Sequence, residues 1–252
     1  MLVGAHVPSI HPLAEAAERK ADVVQMFLSN PQSWKKPAPR PDEDELRHSP
    51  IPIYVHAPYL INVCADNNRV RVPSRRILQE TCDAASEIAA RAVIVHAGHV
   101  TGDGPQEEGI DRWRKALDVL DTEMPVYIEN TAGGDKAVAR RVEWIGKLFD
   151  EIGGYGVGFV LDTCHLWAGG EPLEEAVPRV LEATGRIDLV QVNDSKDPFD
   201  SRRDRHENLG KGLIPPHLIA RVILDAAAPV IVETPGGPEE QTADIEWVRA
   251  IL

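Results

Sequence analysis

Five ligand-type residues, His56, His96, Glu129, Asp162 and Glu233, each stand at the end of a short apolar run, and His165, Asp204 and His206 extend the set. Imidazole and carboxylate together suit borderline divalent ions: zinc, or equally manganese and iron. No cysteine pair competes for that role. More ligands are present than the four that one tetrahedral ion takes, so the set implies more than one metal. A cluster with a bridging carboxylate and an open position suits in-line hydrolysis of phosphodiesters, because it makes a nucleophile from water and neutralises both the attacking and the leaving oxygen. Taken singly, each residue has a plain structural explanation, as a histidine packed in a loop or a carboxylate paired with an arginine. Together they would leave unpaired charges buried behind runs such as Val126-Tyr127-Ile128 and Val230-Ile231-Val232, a cost that metal coordination removes.

The elements that must position these residues are legible as alternation. Short β-branched runs occur at Leu2 to Val7, Val23 to Leu28, Ile53 to His56, Ala92 to His96, Val126 to Glu129, Gly158 to Asp162, Leu189 to Val192 and Val230 to Glu233. Amphipathic stretches lie between them. One is Pro73 to Ala92, where Ile77, Leu78, Cys82, Ala85, Ile88 and Ala89 recur at helical spacing. Strand and helix in strict turn predict an α/β protein: a single (β/α)8 TIM barrel over residues 1–252, forming one domain, with the active site at the C-terminal ends of the strands. The Pro-rich, acidic stretch from Pro31 to Pro50 reads as a long loop with a short helix.

Composition narrows the setting. With 27 Lys and Arg against 40 Asp and Glu the formal charge is −13, which disfavours a protein that coats nucleic acid. A DNA-directed role must then draw positive charge from bound cations and from Ser201-Arg202-Arg203-Asp204-Arg205-His206. No apolar run reaches membrane-spanning length, and the N-terminus lacks the pattern of an export signal. Three cysteines are too few, and odd in number, for a disulfide framework. The expectation is a cytoplasmic protein without a membrane partner.

Several stretches resemble the endonuclease IV family, over nearly the whole chain. They are Gly4-Ala5-His6-Val7, His56-Ala57-Pro58-Tyr59-Leu60-Ile61-Asn62, His96-Ala97-Gly98-His99, Ile128-Glu129-Asn130-Thr131-Ala132-Gly133 and Leu161-Asp162-Thr163-Cys164-His165. Asn193-Asp194-Ser195-Lys196, Ser201 to Gly210 and Val232-Glu233-Thr234-Pro235 continue the series. The resemblance implies a zinc cluster: His56 and His96 on a first metal, Glu129 bridging it to a second, Asp162 and Glu233 on the second, and His165, Asp204 and His206 on a third. It implies catalytic roles for Glu129, which fixes the metal separation and steers the nucleophile, and for Glu233, which accepts a proton. The second metal in the family also takes a histidine where this chain has Gln191. That change leaves an all-oxygen set, which leans towards manganese, magnesium or ferrous iron, or else Gln191 bonds a metal-bound water and the site fills normally.

The implied substrate is double-stranded DNA with an abasic site, cut 5′ to the lesion to leave a 3′-hydroxyl and a 5′-deoxyribose phosphate in base excision repair. The implied state is a monomer. Tyr59 and Leu60 match loop residues that wedge into the duplex, or else pack within their own loop. Gln32 stands near a family arginine, with Lys35 and Lys36 close by. Arg202, Arg203 and Arg205 are phosphate binders or members of an ion-paired loop. His6 either lines the pocket or packs, His99 supports a ligand, and Cys164 is a small core residue. A sugar isomerase of the xylose isomerase type shares the barrel but has no use for Asp204 and His206 in an arginine-rich loop. A non-cutting lesion-binding module has no use for buried metal ligands.

Overall fold

Runs of Val and Ile favour pleated, buried backbone, and in the computed structural model, which describes residues 1–252, each of the eight runs forms a strand. In chain order the elements begin with β1 (Val3–His6), α1 (Pro12–Glu18), β2 (Val24–Phe27), α2 (Glu43–Arg47), β3 (Ile53–His56) and α3 (Asn68–Glu87). They continue with β4 (Ala92–His96), α4 (Glu107–Leu117), β5 (Val126–Glu129), α5 (Val142–Ile152), β6 (Gly158–Asp162) and α6 (Thr163–Gly169). The last third holds α7 (Ala176–Thr184), β7 (Leu189–Gln191), β8 (Asp194–Ser195), β9 (His206–Glu207), α8 (Pro216–Ala226), β10 (Val230–Val232) and α9 (Pro238–Arg249). Strands β1 to β7 and β10 form a closed parallel barrel in which β1 pairs with both β2 and β10. This is the (β/α)8 barrel that the sequence predicts. No helix is long and apolar enough to cross a membrane.

Strand periodicity explains why the site lies where it does. Side chains two apart share a face, so Val23, Tyr54, Ile94, Val160, Leu189 and Ile231 fill the lumen as a separate buried cluster. The alternate positions, such as Val24, Met26, Val55, Val93, Ile128 and Phe159, pack outward with the helices in the main core. Two residues beyond Val23, Tyr54, Ile94, Val160, Leu189 and Ile231 stand Gln25, His56, His96, Asp162, Gln191 and Glu233. The polar layer is therefore the next layer of the lumen, laid on an apolar plug. Gly4 belongs to the same packing: a Cβ there would collide with the Val23 carbonyl oxygen.

Two elements depart from expectation. Helix α3 starts five residues before Pro73, because the Asn67 side chain caps it by accepting the Arg69 N–H at 2.9 Å, and Pro73 is carried inside the helix. It ends before Ala92, since Ala89 turns left-handed at φ 52° and Ala92 already opens β4. Beyond β7 the chain forms an antiparallel hairpin absent from the predicted elements, pairing Asp194 with Glu207 and Ser195 with His206. The Asp194 carboxylate holds its far side by accepting the N–H groups of Gly210, Gly212 and Ile214 at 2.9–3.1 Å.

Candidate metal centre

Glu129 ends β5 fully buried, between histidines from three other elements. Its Oε2 lies 3.0 Å from His56 Nε2, and its Oε1 lies 3.3 Å from His96 Nε2 and 3.0 Å from His165 Nδ1. His56 Nδ1 is 2.7 Å from the Ala57 carbonyl, which takes its proton and leaves Nε2 free for the cluster. On the other side, Asp204 Oδ1 lies 3.1 Å from both His165 Nε2 and His206 Nε2. His206 Nε2 also lies 3.7 Å from Asp162 Oδ2. The ligand atoms of His56, His96 and Glu129 lie within 4.8 Å of one another, as do those of Asp162, His165 and His206, and of Cys164, Asp204 and His206.

Every ligand-type residue read from the sequence thus reaches the top of the barrel. The hairpin explains how Asp204 and His206 do so, by folding the arginine-rich loop back over β6. Two asparagines that carried no assigned role hold the frame. Asn130 ties β5 to β6 by accepting the Asp162 N–H at 2.8 Å and donating to the Asp162 carbonyl at 3.1 Å. Asn193 donates to Asp162 Oδ2 at 2.7 Å and accepts the Glu233 N–H at 2.9 Å. Asp162 also caps α6, its Oδ1 accepting the His165 N–H at 2.6 Å. Gln25 on β2 was missed altogether. It is fully buried and donates to Glu233, and its Nε2 lies 2.8 Å from His6 Nδ1. A single amide inside Val23-Val24-Gln25-Met26-Phe27 was the available signal. His6 lines the pocket 3.3 Å from Glu233.

The donor set passes a chemical test for divalent metal. Glu129 Oε1, His165 Nε2, His206 Nε2 and Gln191 Oε1 are buried with no hydrogen-bond partner, although the first three lie close to opposite charges. Lone pairs gathered in one place without donors are what a shared cation satisfies. Cys164 does not share this character: burial pushes its thiol up to about 12.

Without metal, protons stand in for cations. Burial alone would raise Glu129, yet His96, His165 and His56 hold it well below the usual carboxylate range. Burial opposes charge on the histidines, but Asp162 and Asp204 lift His206 to about 9 and raise His165 well above its ordinary value. Against burial, His6 and His56 draw Glu233 down to about 2. Asp162 goes the other way, raised by burial more than His165 and His206 lower it.

Histidines raised in the folded state stabilise it below the unfolded value of about 6.5, and that stability is lost as pH climbs towards 9. Depressed carboxylates stabilise above about 4, and that part is lost as pH falls through their folded values. Chelated protein is therefore expected to melt highest near pH 5–6 and to lose on the order of a few kcal/mol by pH 9. Melting curves across this range in excess chelator check it, and a melting temperature that rises from pH 6.5 to 9 would contradict it.

The site opens at two clefts. One of about 250 Å³ is lined by Tyr59, His96, His165, Arg202 and Asp204, and the other, of about 550 Å³, by His6, Phe27, Asn30 and Gln241 among others. Tyr59 is 53% exposed and stacks on His96 with ring centroids 5.9 Å apart. Leu60 beside it is half-buried, and Gln32, Lys35 and Lys36 lie on the neighbouring loop, all three exposed. The loop arginines are paired internally. Arg205 makes two parallel bonds to Asp197 at 2.6 and 2.5 Å, Arg203 lies 3.6 Å from the same carboxylate, and Arg202 bonds Asp135 at 2.6 Å.

Comparison with known proteins agrees with this fold. A family model described as a xylose isomerase-like TIM barrel matches residues 13–251. A protein of Mycobacterium tuberculosis (strain ATCC 25177 / H37Ra) named "Probable endonuclease 4" is 60% identical over 249 residues, 99% of this chain and 98% of its own. Its namesake in Mycobacterium leprae (strain Br4923) is 57% identical over the same share of each chain. The crystal structure of endonuclease IV from Thermus thermophilus superposes with a TM-score of 0.86 at 28% identity, covering 100% of this chain and 98% of that one. A D-tagatose 3-epimerase-like protein shares the fold alone, at 18% identity and a TM-score of 0.82 over 100% of this chain and 97% of that one. On the strength of its relatives and of the barrel they share, this chain belongs to the endonuclease IV family of nucleases.

Proposed function

We propose that this chain hydrolyses the phosphodiester bond 5′ to abasic sites in double-stranded DNA, leaving a 3′-hydroxyl and a 5′-deoxyribose phosphate, with a cluster of two or three divalent metals. The observation that carries the reading is the group of buried, partnerless ligand atoms around Glu129, Asp162, His165 and His206. His56, His96 and Glu129 would hold one ion, Glu129, Asp162, Glu233 and Gln191 a second, and His165, Asp204 and His206 a third. Bound there, such ions supply a nucleophile from water and neutralise charge at the reacting phosphate.

The chain's own residues do the rest. Glu129 presents one carboxylate oxygen to His56 and the other to His96 and His165, so it sets the separation of the ligand groups. Glu233, held by Gln25 and Gln191, accepts the proton released as water attacks. The narrow cleft under Tyr59 admits a base-free sugar more readily than an extruded nucleotide, and extrusion costs least where no base pair exists. Gln32, Tyr59 and Leu60 contact the opened duplex, while Arg202, Arg203 and Arg205 exchange their carboxylate partners for phosphates. The protein acts as a monomer of one domain, residues 1–252, in the cytoplasm.

The test is a duplex with one abasic analogue, incubated with and without chelator, the strands then being resolved by length. A metal-dependent nick 5′ to the lesion is expected, and binding without a nick would overturn the reading. The wedge is tested separately. Replacing both Tyr59 and Leu60 by alanine is expected to cost about 1–3 kcal/mol per side chain in selecting abasic over intact duplex, with metal content unchanged. Equal losses on abasic and intact DNA would remove these residues from lesion recognition.

A further inference from the structure

Gln25 and Gln191 are both fully buried, and they face each other across the lumen beside Glu233. A carboxylate only accepts hydrogen bonds, so Glu233 decides which end of each amide it meets. Gln25 therefore turns its NH2 to Glu233 and its oxygen the other way, and Gln191 Nε2 donates to that oxygen at 3.2 Å and to Glu233 Oε1 at 3.0 Å. Both bonds use the nitrogen of Gln191. Its oxygen remains buried and without a partner, at a position registered beside Asp162 on β6.

We propose that Gln25 is a positioning residue for the second metal: by accepting a hydrogen bond from Gln191 it fixes that amide so that its carbonyl oxygen is the free, buried donor. This rests on the metal reading above and deepens it. Without an acceptor at position 25, only the bond to Glu233 still orients the Gln191 amide, and its carbonyl oxygen is held less firmly outward. An imidazole at 191 would need no such support. The two glutamines therefore act as one unit.

The experiment uses full-length protein, stripped by chelator and refilled with two equivalents of Zn²⁺, then titrated with Mn²⁺ and followed by electron paramagnetic resonance. Gln25→Met keeps the volume and removes the acceptor. It is expected to weaken the Mn²⁺ site about tenfold or more, the usual effect of losing an outer-shell partner, with zinc content unchanged. In a Gln191→His background the same change should cost clearly less in metal affinity, since only the bond to Glu233 is lost there, whereas a merely structural role would weaken both backgrounds equally. Gln25→Glu, which still accepts from Gln191 but loses the donor to Glu233, should bind Mn²⁺ more tightly than Gln25→Met and guards against a Gln25→Met protein that fails to fold. Wild-type affinity in Gln25→Met, equal losses in both backgrounds, or binding in Gln25→Glu no tighter than in Gln25→Met would each overturn the proposal. Unmodified protein that retains zinc but takes up no Mn²⁺ would overturn it as well, whereas failure to hold any metal would instead sink the metal reading.

Discussion

Glu129→Gln is expected to lower nicking of an abasic duplex by more than about 10³-fold while the barrel still folds. Loss of one electrostatic element at a reacting centre costs about 10²–10³ in rate, and Glu129 serves several partners at once. It is fully buried, and its two oxygens face His56, His96 and His165 at 3.0–3.3 Å. An amide carries no charge, binds metal poorly, and turns an NH2 towards at least one of those ring nitrogens. The fold should survive, because the plug of Tyr54, Ile94, Val160 and Ile231 beneath the site is untouched. Rate, metal content and melting temperature together make the check: a variant with normal metal and more than a tenth of the wild-type rate would remove Glu129 from the bridging role.

Exhaustive chelation is expected to bring nicking down to the uncatalysed background and to lower the melting temperature. A ligand held at about 1,000 times its dissociation constant stabilises by about 4 kcal/mol, which for a chain of this size is roughly 10 °C. Refilling should then separate the positions. Those built on His56 and His96, and on His165 and His206, have nitrogen donors and should retain zinc. The position at Glu129, Asp162, Glu233 and Gln191 offers oxygen only, so in isolated protein it should be depleted or hold an exchangeable manganese or ferrous ion. Gln191→His should raise zinc retention there. Elemental analysis with metal-specific anomalous scattering decides, and three fully occupied zinc ions in unmodified protein would refute the assignment.

The barrel and most of its polar layer were legible because each strand ends its apolar run on the residue that chemistry needs. Val126-Tyr127-Ile128-Glu129 states both the strand and the candidate ligand. Gln25 was hidden by the same logic, since it sits inside an apolar run, and only the closed lumen shows that its neighbours are Glu233 and Gln191. The β8–β9 hairpin was unreadable because its strands are two residues each and owe their pairing to Asp194 gripping a distant loop. Pro73 misplaced the start of α3 because the helix begins earlier, at the Asn67 cap, and carries the proline inside it. The arginine loop left two roles open, and the pairing of Arg205 with Asp197 is a matter of loop shape that spacing does not encode.

The barrel closes where β1 meets β10, and the polar layer straddles that seam: His6 stands on the first strand and Glu233 just after the last. Synthesis runs from the N-terminus, so β3, β4 and β5 leave the ribosome well before β10. His56, His96 and Glu129, on the adjacent strands β3, β4 and β5, can gather while later segments are still being made. Glu233 can join only once β10 has been released to pair with β1. Capture of an ion at the corner formed by β3, β4 and β5 is thus open to a nascent chain, whereas the Glu233 position is completed only by the finished polypeptide.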